Sequence, residues 1–339
     1  MLVKQTILLM KETRAGEQRV GLIPQDVQAL VGQGHRVWVE SLSGIGCGYQ
    51  DTEYEKVGAT IIKNPWSRSM IAEVTWVVRV KRPSVEQEQR EMNFFPAGIK
   101  MVGALDHMDP NSTHCKEYKK QGIQAYSFDA APLPKAHPMN ILTSMSDIAG
   151  RLSFFDALHQ HGEKNAASVL IIGFGVAGQA AMRAARSKGF TVTVMTRSQQ
   201  AQLSIEAQGG QWVLLDPNLS LSAHRRLIAE HLNHSNIIIS SARQTNQKAP
   251  VLVTSSTLLA LQHAPVLVDL ASTQGGNIEE SAPDQVIELA NGVKIINQSG
   301  YPKQEPEIAS DYWSRASRFF IEAMSSDSHA LVCQSLRIS

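Results

Sequence analysis

The stretch SVLIIGFGVAGQAAMRAARSKG restricts the fold of this chain more than any other, because Gly173, Gly175 and Gly178 follow an apolar run and open an alanine-rich segment. Three glycines at that spacing solve three steric problems at a strand-to-helix turn. Gly173 permits the tight turn, Gly175 lets the backbone approach a pyrophosphate, and Gly178 lets helix and strand pack closely. The first helical residues, Val176 and Ala177, then present unpaired N–H groups and the positive end of the helix dipole. A second apolar run, TVTVMT, follows at the distance expected of a β-α-β unit, so the motif predicts a dinucleotide site rather than a merely structural turn.

The end of that second run is where the adenosine ribose is usually read, by an Asp or Glu that accepts from the 2′-hydroxyl. Thr196, Arg197 and Ser198 stand there instead. Without the carboxylate a 2′-phosphate meets no repulsion, and Arg197 can pair with it. The segment points to NADP(H) as the preferred cofactor and leaves NAD(H) open, with Arg197 then a solvated loop cation.

Short apolar runs alternate with amphipathic segments along the whole chain, the pattern of parallel β-α-β units. In the first half, strands are predicted at 5–10, 36–40, 76–80 and 100–105, with a helix at 24–33. A long helix at 146–160 precedes a second series of strands at 168–172, 191–195, 212–215, 237–240, 266–270 and 294–297. The expected fold is α/β, two Rossmann-like domains with mostly parallel sheets and a cleft between them. Pro132, Pro134 and Pro138 punctuate the passage between the two series, where a hinge is expected. The amphipathic segment 311–324, carrying Trp313, Phe319 and Phe320, is expected to return to the first domain. The expected division is 1–140 plus 305–339 for a discontinuous substrate domain and 141–304 for the dinucleotide domain. A chain of 339 residues, 43% of them hydrophobic, can bury two such cores.

Thirty-two basic residues balance 31 acidic ones, for a formal charge of +1. That balance argues against a nucleic-acid binder or a polybasic membrane anchor, and for small molecules or other protein chains as partners. The longest apolar stretch, 166–182, is interrupted by three glycines and a glutamine and fits a strand-turn-helix better than a bilayer span. Cys47, Cys115 and Cys333 have no paired spacing, which fits neither a disulfide framework nor a zinc cluster and suits a reducing cytoplasm. His159 and His161, even with His137, have no third ligand at metal spacing, so no metal site is expected.

Several segments together carry a family resemblance: KETRAGEQRVGLIPQDVQALVGQGHRVWVE, GIGCGYQDTEYEKVGA, VVRVKRP, MSDIAGR, IIGFGVAGQAA, KAPVLV and VLVDLASTQGGN. Over nearly its whole length the chain resembles the family of alanine dehydrogenase and the dinucleotide-binding alpha subunit (domain I) of proton-translocating transhydrogenase, which includes N5-(carboxyethyl)ornithine synthase and lysine-forming saccharopine dehydrogenase. The resemblance implies that Arg19 and Lys81 anchor the substrate. Arg offers a planar fork to a carboxylate, and Lys can polarise a carbonyl or carry a proton. It also implies an acid or base after the next strand, where MVGALDHMDP offers Asp106 or His107, and His107 has the unperturbed pKa nearer neutrality. Ser146 of MSDIAGR matches a residue that contacts the cofactor pyrophosphate, and a helix N-cap is an equally good account of it. Homo-oligomerisation is implied as well.

Departures from the family pattern point to an altered substrate pocket. An aspartate expected in the STQGGN segment is Thr273, an asparagine expected before the late proline is Gly300, and the connector HGEKNAAS before the glycine turn is short. Leu133, His137 and Asn140 stand where the transhydrogenase subunit would carry its arginine, glutamine and aspartate loop. The expected function is NAD(P)-dependent hydride transfer at the Cα of an amino acid or an opine-type secondary amine, the reverse reaction joining a 2-oxo acid to an amine. Two alternatives stay open: a transhydrogenase-like module that presents dinucleotide to a membrane subunit, and a cofactor-binding family member without turnover.

Overall fold

The computed structural model describes residues 4–64, 66–106, 113–131, 133–162, 168–243, 248–271, 275–326 and 330–339. The chain divides into two compact units, Met1–Ser144 with Lys303–Ser339, and Met145–Pro302. The first unit is built from β1 (Thr6–Leu9), α1 (Pro24–Gly32), β2 (Arg36–Glu40), α2 (Asp51–Lys56), β3 (Thr60–Ile62), α3 (Arg68–Ile71), β4 (Trp76–Lys81), α4 (Val85–Met92), β5 (Lys100–Ala104), α5 (His114–Gln121) and β6 (Gln124–Ser127). The long helix α6 (Ile141–His161) leads into the second unit. There follow β7 (Ser168–Ile172), α7 (Val176–Ser187), β8 (Thr191–Thr196), α8 (Gln202–Ala207), β9 (Gln211–Leu214), α9 (Leu221–Leu232), β10 (Ile237–Ser240), α10 (Ser255–Leu259), β11 (Val266–Asp269), β12 (Gln285–Glu288) and β13 (Lys294–Asn297). Helices α11 (Pro306–Ser325) and α12 (Ala330–Ser335) complete the first unit.

Each unit holds one sheet, and both sheets follow from continuous apolar runs such as TILL and IIIS, which suit strands covered on both faces. In the first unit the order is β3-β2-β1-β4-β5-β6 with every pair parallel. In the second it is β12-β13-β11-β10-β7-β8-β9, parallel except for the edge strand β12, which pairs antiparallel with β13. The direction of winding reverses between β1 and β4 in one sheet and between β7 and β10 in the other. In such sheets ligands bind outside the carboxyl ends of the strands at that reversal. Topology therefore singles out the residues leaving β1 and β4, and those leaving β7 and β10.

The return of α11 to the first unit rests on an aromatic cluster. The Phe320 ring lies 5.4 Å from Trp76 and 5.1 Å from Tyr126, and Trp313 lies 5.9 Å from Phe128. Burying rings of this size contributes about 1.5–3 kcal/mol each. Phe319 instead stacks edge-on against His137 at 5.7 Å. Strands β3, β6 and β12 have no counterpart in the sequence-based reading. Their short runs TII, QAYS and QVIE are either partly exposed or mixed with polar residues, so neither a continuous apolar run nor a clean alternation marks them. Helix α6 begins five residues before its predicted start because Asn140 caps it, its Oδ1 accepting the Thr143 N–H at 3.0 Å. Ser146 is thus inside the helix, and the N-cap account of it is corrected. Among the described residues no helix is long and apolar enough to cross a membrane.

Candidate functional site

In the second unit the glycine turn has the shape its spacing demands. Gly173 adopts a φ of +99° and lies against the loop after β10, where an added Cβ would stand 3.0 Å from the Ala242 nitrogen. A Cβ on Gly178 would overlap the Gly173 carbonyl oxygen, and one on Gly150 of α6 would overlap the carbonyl of Ala177. Turn, α7 and α6 are therefore in backbone contact. Gly175 differs: nothing lies within 4 Å of its would-be Cβ, and it caps α7 without any side-chain hydrogen bond. The start of α7, at Val176 and Ala177, thus has open space beside Gly175, and the first-turn amides of a helix have no partner within the helix itself. Ser146 is half-buried on α6, one turn before Gly150.

The neighbouring strand β8 ends at Thr196, which is buried and whose Oγ1 accepts the Ser198 N–H at 3.2 Å. Arg197 and Ser198 are exposed. No ion pair to Arg197 occurs among the described residues. On the far side of the turn, Asp269 at the end of β11 is 1% exposed and accepts three backbone N–H groups, from Ala271 at 2.9 Å, Asn277 at 2.8 Å and Ile278 at 3.2 Å. Asn277 in turn accepts from the Ala242 N–H and the Ser240 hydroxyl. This network ties the loop after β11 to the loop after β10. The Thr273 departure lies outside the described residues, as does most of the short connector, 163–167.

In the first unit a charged cluster forms where β1 and β4 end. Lys81 is the last residue of β4, half-buried. Burial pushes its ammonium below the usual lysine range; Asp106 and Asp129 oppose the shift, while Arg19 and Arg14 add to it. Four charged groups from three segments therefore act on one amine. Asp106 holds a left-handed φ of +53° just beyond β5 and pairs with Arg14 at 2.5 Å. Asp129 accepts a hydrogen bond from the Ser127 hydroxyl, whose oxygen takes the Leu105 N–H at 2.8 Å, so the loops after β5 and β6 are braced together.

Arg19 is buried, not solvated. Its guanidinium spans both oxygens of Glu17, Nε to Oε1 at 2.6 Å and Nη2 to Oε2 at 2.5 Å, and rests over the Trp313 ring at 5.9 Å. Burial alone would raise the Glu17 carboxyl, but the hydrogen bonds and charge of Arg19 leave it lowered. Ser310 and Ser314 of α11 accept the backbone N–H groups of Val20 at 2.9 Å and Ile23 at 2.8 Å, which holds the segment after Arg19 in place. The geometry thus brings Arg19, Lys81 and Asp106 together. His107 lies outside the described residues. Leu133, His137 and Asn140 serve local structure: Asn140 donates to the Leu133 carbonyl at 2.8 Å and His137 Nδ1 accepts the Met139 N–H at 3.2 Å. Glu12, Arg14, Glu17 and Asp129 join the cluster without having been singled out in the sequence, although the first three sit in the KETRAGEQRV segment.

Comparison with known proteins agrees with both halves. The model of the alanine dehydrogenase/PNT N-terminal domain matches residues 8–149, and that of the C-terminal domain matches residues 159–337. An NAD(P) transhydrogenase alpha subunit of Rhodospirillum rubrum is 27% identical over 339 residues, covering 91% of this chain and 87% of its own. The alanine dehydrogenase of Geobacillus stearothermophilus is 30% identical over 285 residues, covering 79% of this chain and 72% of its own. The crystal structure of transhydrogenase from Sinorhizobium meliloti superposes with a TM-score of 0.82 at 25% identity, over 94% of each chain. A glycine turn at one topological reversal, a lysine-centred charge cluster at the other, and family models over both halves place the chain in the alanine dehydrogenase/PNT family.

Proposed function

We propose that this chain is an NAD(P)-dependent oxidoreductase that joins a 2-oxo acid and an amine, reductively, into an amino acid or opine-type secondary amine, and runs the reverse oxidation. The observation that carries the reading is the Lys81 amine, depressed by burial and flanked by two carboxylates and two guanidiniums. An amine so placed can hydrogen-bond a carbonyl oxygen and gives up its proton more readily than a solvated lysine. Arg19 acts on the same amine and would receive a substrate carboxylate by exchanging Glu17 for it. Asp106 is the neighbouring carboxylate that accepts or returns a proton as water leaves the carbonyl carbon, and His107 next to it is the alternative base.

The glycine turn fits a nicotinamide dinucleotide, since the open space over Gly175 is the room a diphosphate requires. Gly173, Gly175, Val176, Ala177 and Gly178 would hold the diphosphate, with Ser146 nearby on α6. When bound, the group supplies or accepts a hydride at its nicotinamide ring. Thr196, Arg197 and Ser198 would read the adenosine ribose, and the exposed Arg197, which makes no ion pair among the described residues, supports NADP(H) over NAD(H). The overall balance is 2-oxo acid, amine, reduced cofactor and a proton giving amine product, oxidised cofactor and water. The substrate domain is assigned to 1–140 plus 305–339 and the dinucleotide domain to 141–304, in a cytoplasmic homo-oligomer.

A second reading has its own support, namely the likeness to transhydrogenase alpha subunits over about nine-tenths of the chain. There the chain would bind dinucleotide for a membrane subunit rather than turn over a free substrate. Oxidation of NADPH in the presence of pyruvate and a panel of amines separates the two. A rate with at least one amine is expected, and tight cofactor binding without any rate would overturn the oxidoreductase reading.

A further inference from the structure

The first unit uses one carboxylate in a way that its fold does not require of it. Strand β1 makes its last ladder bond when the Met10 N–H meets the Val78 carbonyl at 3.0 Å, and then its chain leaves the sheet. Strand β4 continues to Lys81, and its register with β5 shifts between Val78 and Lys81. Two backbone N–H groups are left there without a strand to receive them. Glu12 receives both: Oε1 accepts the Val80 N–H at 2.6 Å and Oε2 accepts the Lys81 N–H at 3.1 Å. The segment that carries Glu12 is itself fixed, because Glu40 at the end of β2 accepts the Lys11 N–H at 2.8 Å.

We propose that Glu12 is the positioning residue that aims Lys81, by holding the backbone amides of Val80 and Lys81 on the two oxygens of a single carboxylate. The inference rests on the reading of Lys81 as the amine that meets substrate. A buried backbone N–H left without an acceptor is costly, so the clamp can select one course for the end of β4. Only the ionised carboxylate offers two full acceptors; a protonated one turns an oxygen into a donor. Burial pushes Glu12 up to about 7, with Arg79 on β4 and the two amide hydrogen bonds pulling it down and Glu17 on its own segment pushing it up. Arg79 is itself paired with Glu91 of α4 at 2.6 Å and acts on Glu40 of β2. The clamp is therefore closed on the alkaline side of neutrality and loosened on the acid side.

Backbone amide NMR of Val80 and Lys81 across pH 5.5 to 8.5 tests the clamp on the full chain, without any need for turnover. Both amides are expected to titrate together with a midpoint near 7 and to lose that titration in Glu12→Gln, which keeps the size of the side chain but only one acceptor. Amides that do not titrate, or that titrate unchanged in Glu12→Gln, overturn the proposal. In turnover, Glu12→Gln should lower kcat by roughly 10- to 100-fold, as misaimed groups do, with dinucleotide affinity unchanged. An unchanged kcat overturns it. Wild-type protein that shows the amide titration but no turnover upholds the clamp and counts against the oxidoreductase reading.

Discussion

Replacing Gly175 by alanine should separate folding from cofactor binding. Gly175 has a φ of −71° and extended ψ, a conformation alanine adopts freely, and its added methyl would meet nothing within 4 Å. A Gly→Ala change at a compatible position stabilises by about 0.4–1 kcal/mol through the unfolded chain. For a domain of this size that is a rise of about 1–4 °C in Tm. The same methyl would stand in the open space beside Gly175, where the proposed diphosphate approaches the first turn of α7, and would hold it away from the amides. Losing one charge-assisted hydrogen bond costs about 1.5–3 kcal/mol, or roughly tenfold to over a hundredfold in Kd. Thermal melting with and without NADPH reads both effects at once, since ligand at about 100 times Kd adds roughly 2.7 kcal/mol of stability to the wild type. Gly175→Ala should melt at or above the wild-type temperature and lose about half or more of the ligand-induced rise. Gly178→Ala, whose methyl would overlap the Gly173 carbonyl, should melt lower even without ligand. If Gly175→Ala keeps the full ligand-induced rise, or melts several degrees low, the assignment of that open space to a diphosphate is refuted.

Arg197→Ala should raise Kd for NADPH by about tenfold and leave NADH nearly unaffected, because a single charge-assisted pair to the 2′-phosphate is removed; equal losses for both cofactors would remove Arg197 from the ribose site. Arg19→Ala leaves the buried Glu17 without its partner and should cost about 3–5 kcal/mol in urea unfolding, with Glu17→Gln/Arg19→Ala recovering part of it; a cost below about 1 kcal/mol would mean that the pair is effectively solvated. Glu12 has a folded pKa raised from 4.5 to about 7, so its contribution to stability is fully present below 4.5 and is lost as pH rises through about 7. The unfolding free energy of wild type relative to Glu12→Gln should accordingly fall between pH 5 and pH 8, and a difference that is flat or rises over that window would show that Glu12 is ionised throughout.

Much of this was legible from residue order alone, for reasons that are local. The strand at residues 168–172, the glycine turn and the helix after it follow from apolar runs and steric needs within about ten residues of chain, as does the parallel pattern of both sheets. Edge strands β3, β6 and β12 were not legible, since pairing at a sheet edge asks little of side chains. At the charge cluster, residue types were visible but their state was not. Arg19 and Glu17 are two residues apart in sequence, yet the burial of their ion pair depends on Trp313 and on Ser310, which bonds to Val20 from 290 residues away. Glu12 carried no pattern of its own. Its role follows from where β1 stops beside β4.

The order of residues thus determined which backbone could turn tightly, which segments would seek a sheet, and that a helix N-terminus would stand exposed behind Gly173, because sterics and hydrophobic periodicity act over a few neighbouring positions. Tertiary structure alone decided which charges meet Lys81 and which oxygens close the end of β4. Electrostatic and hydrogen-bonding energies depend on distance and burial in space, and chain order specifies neither until the sheet has assembled.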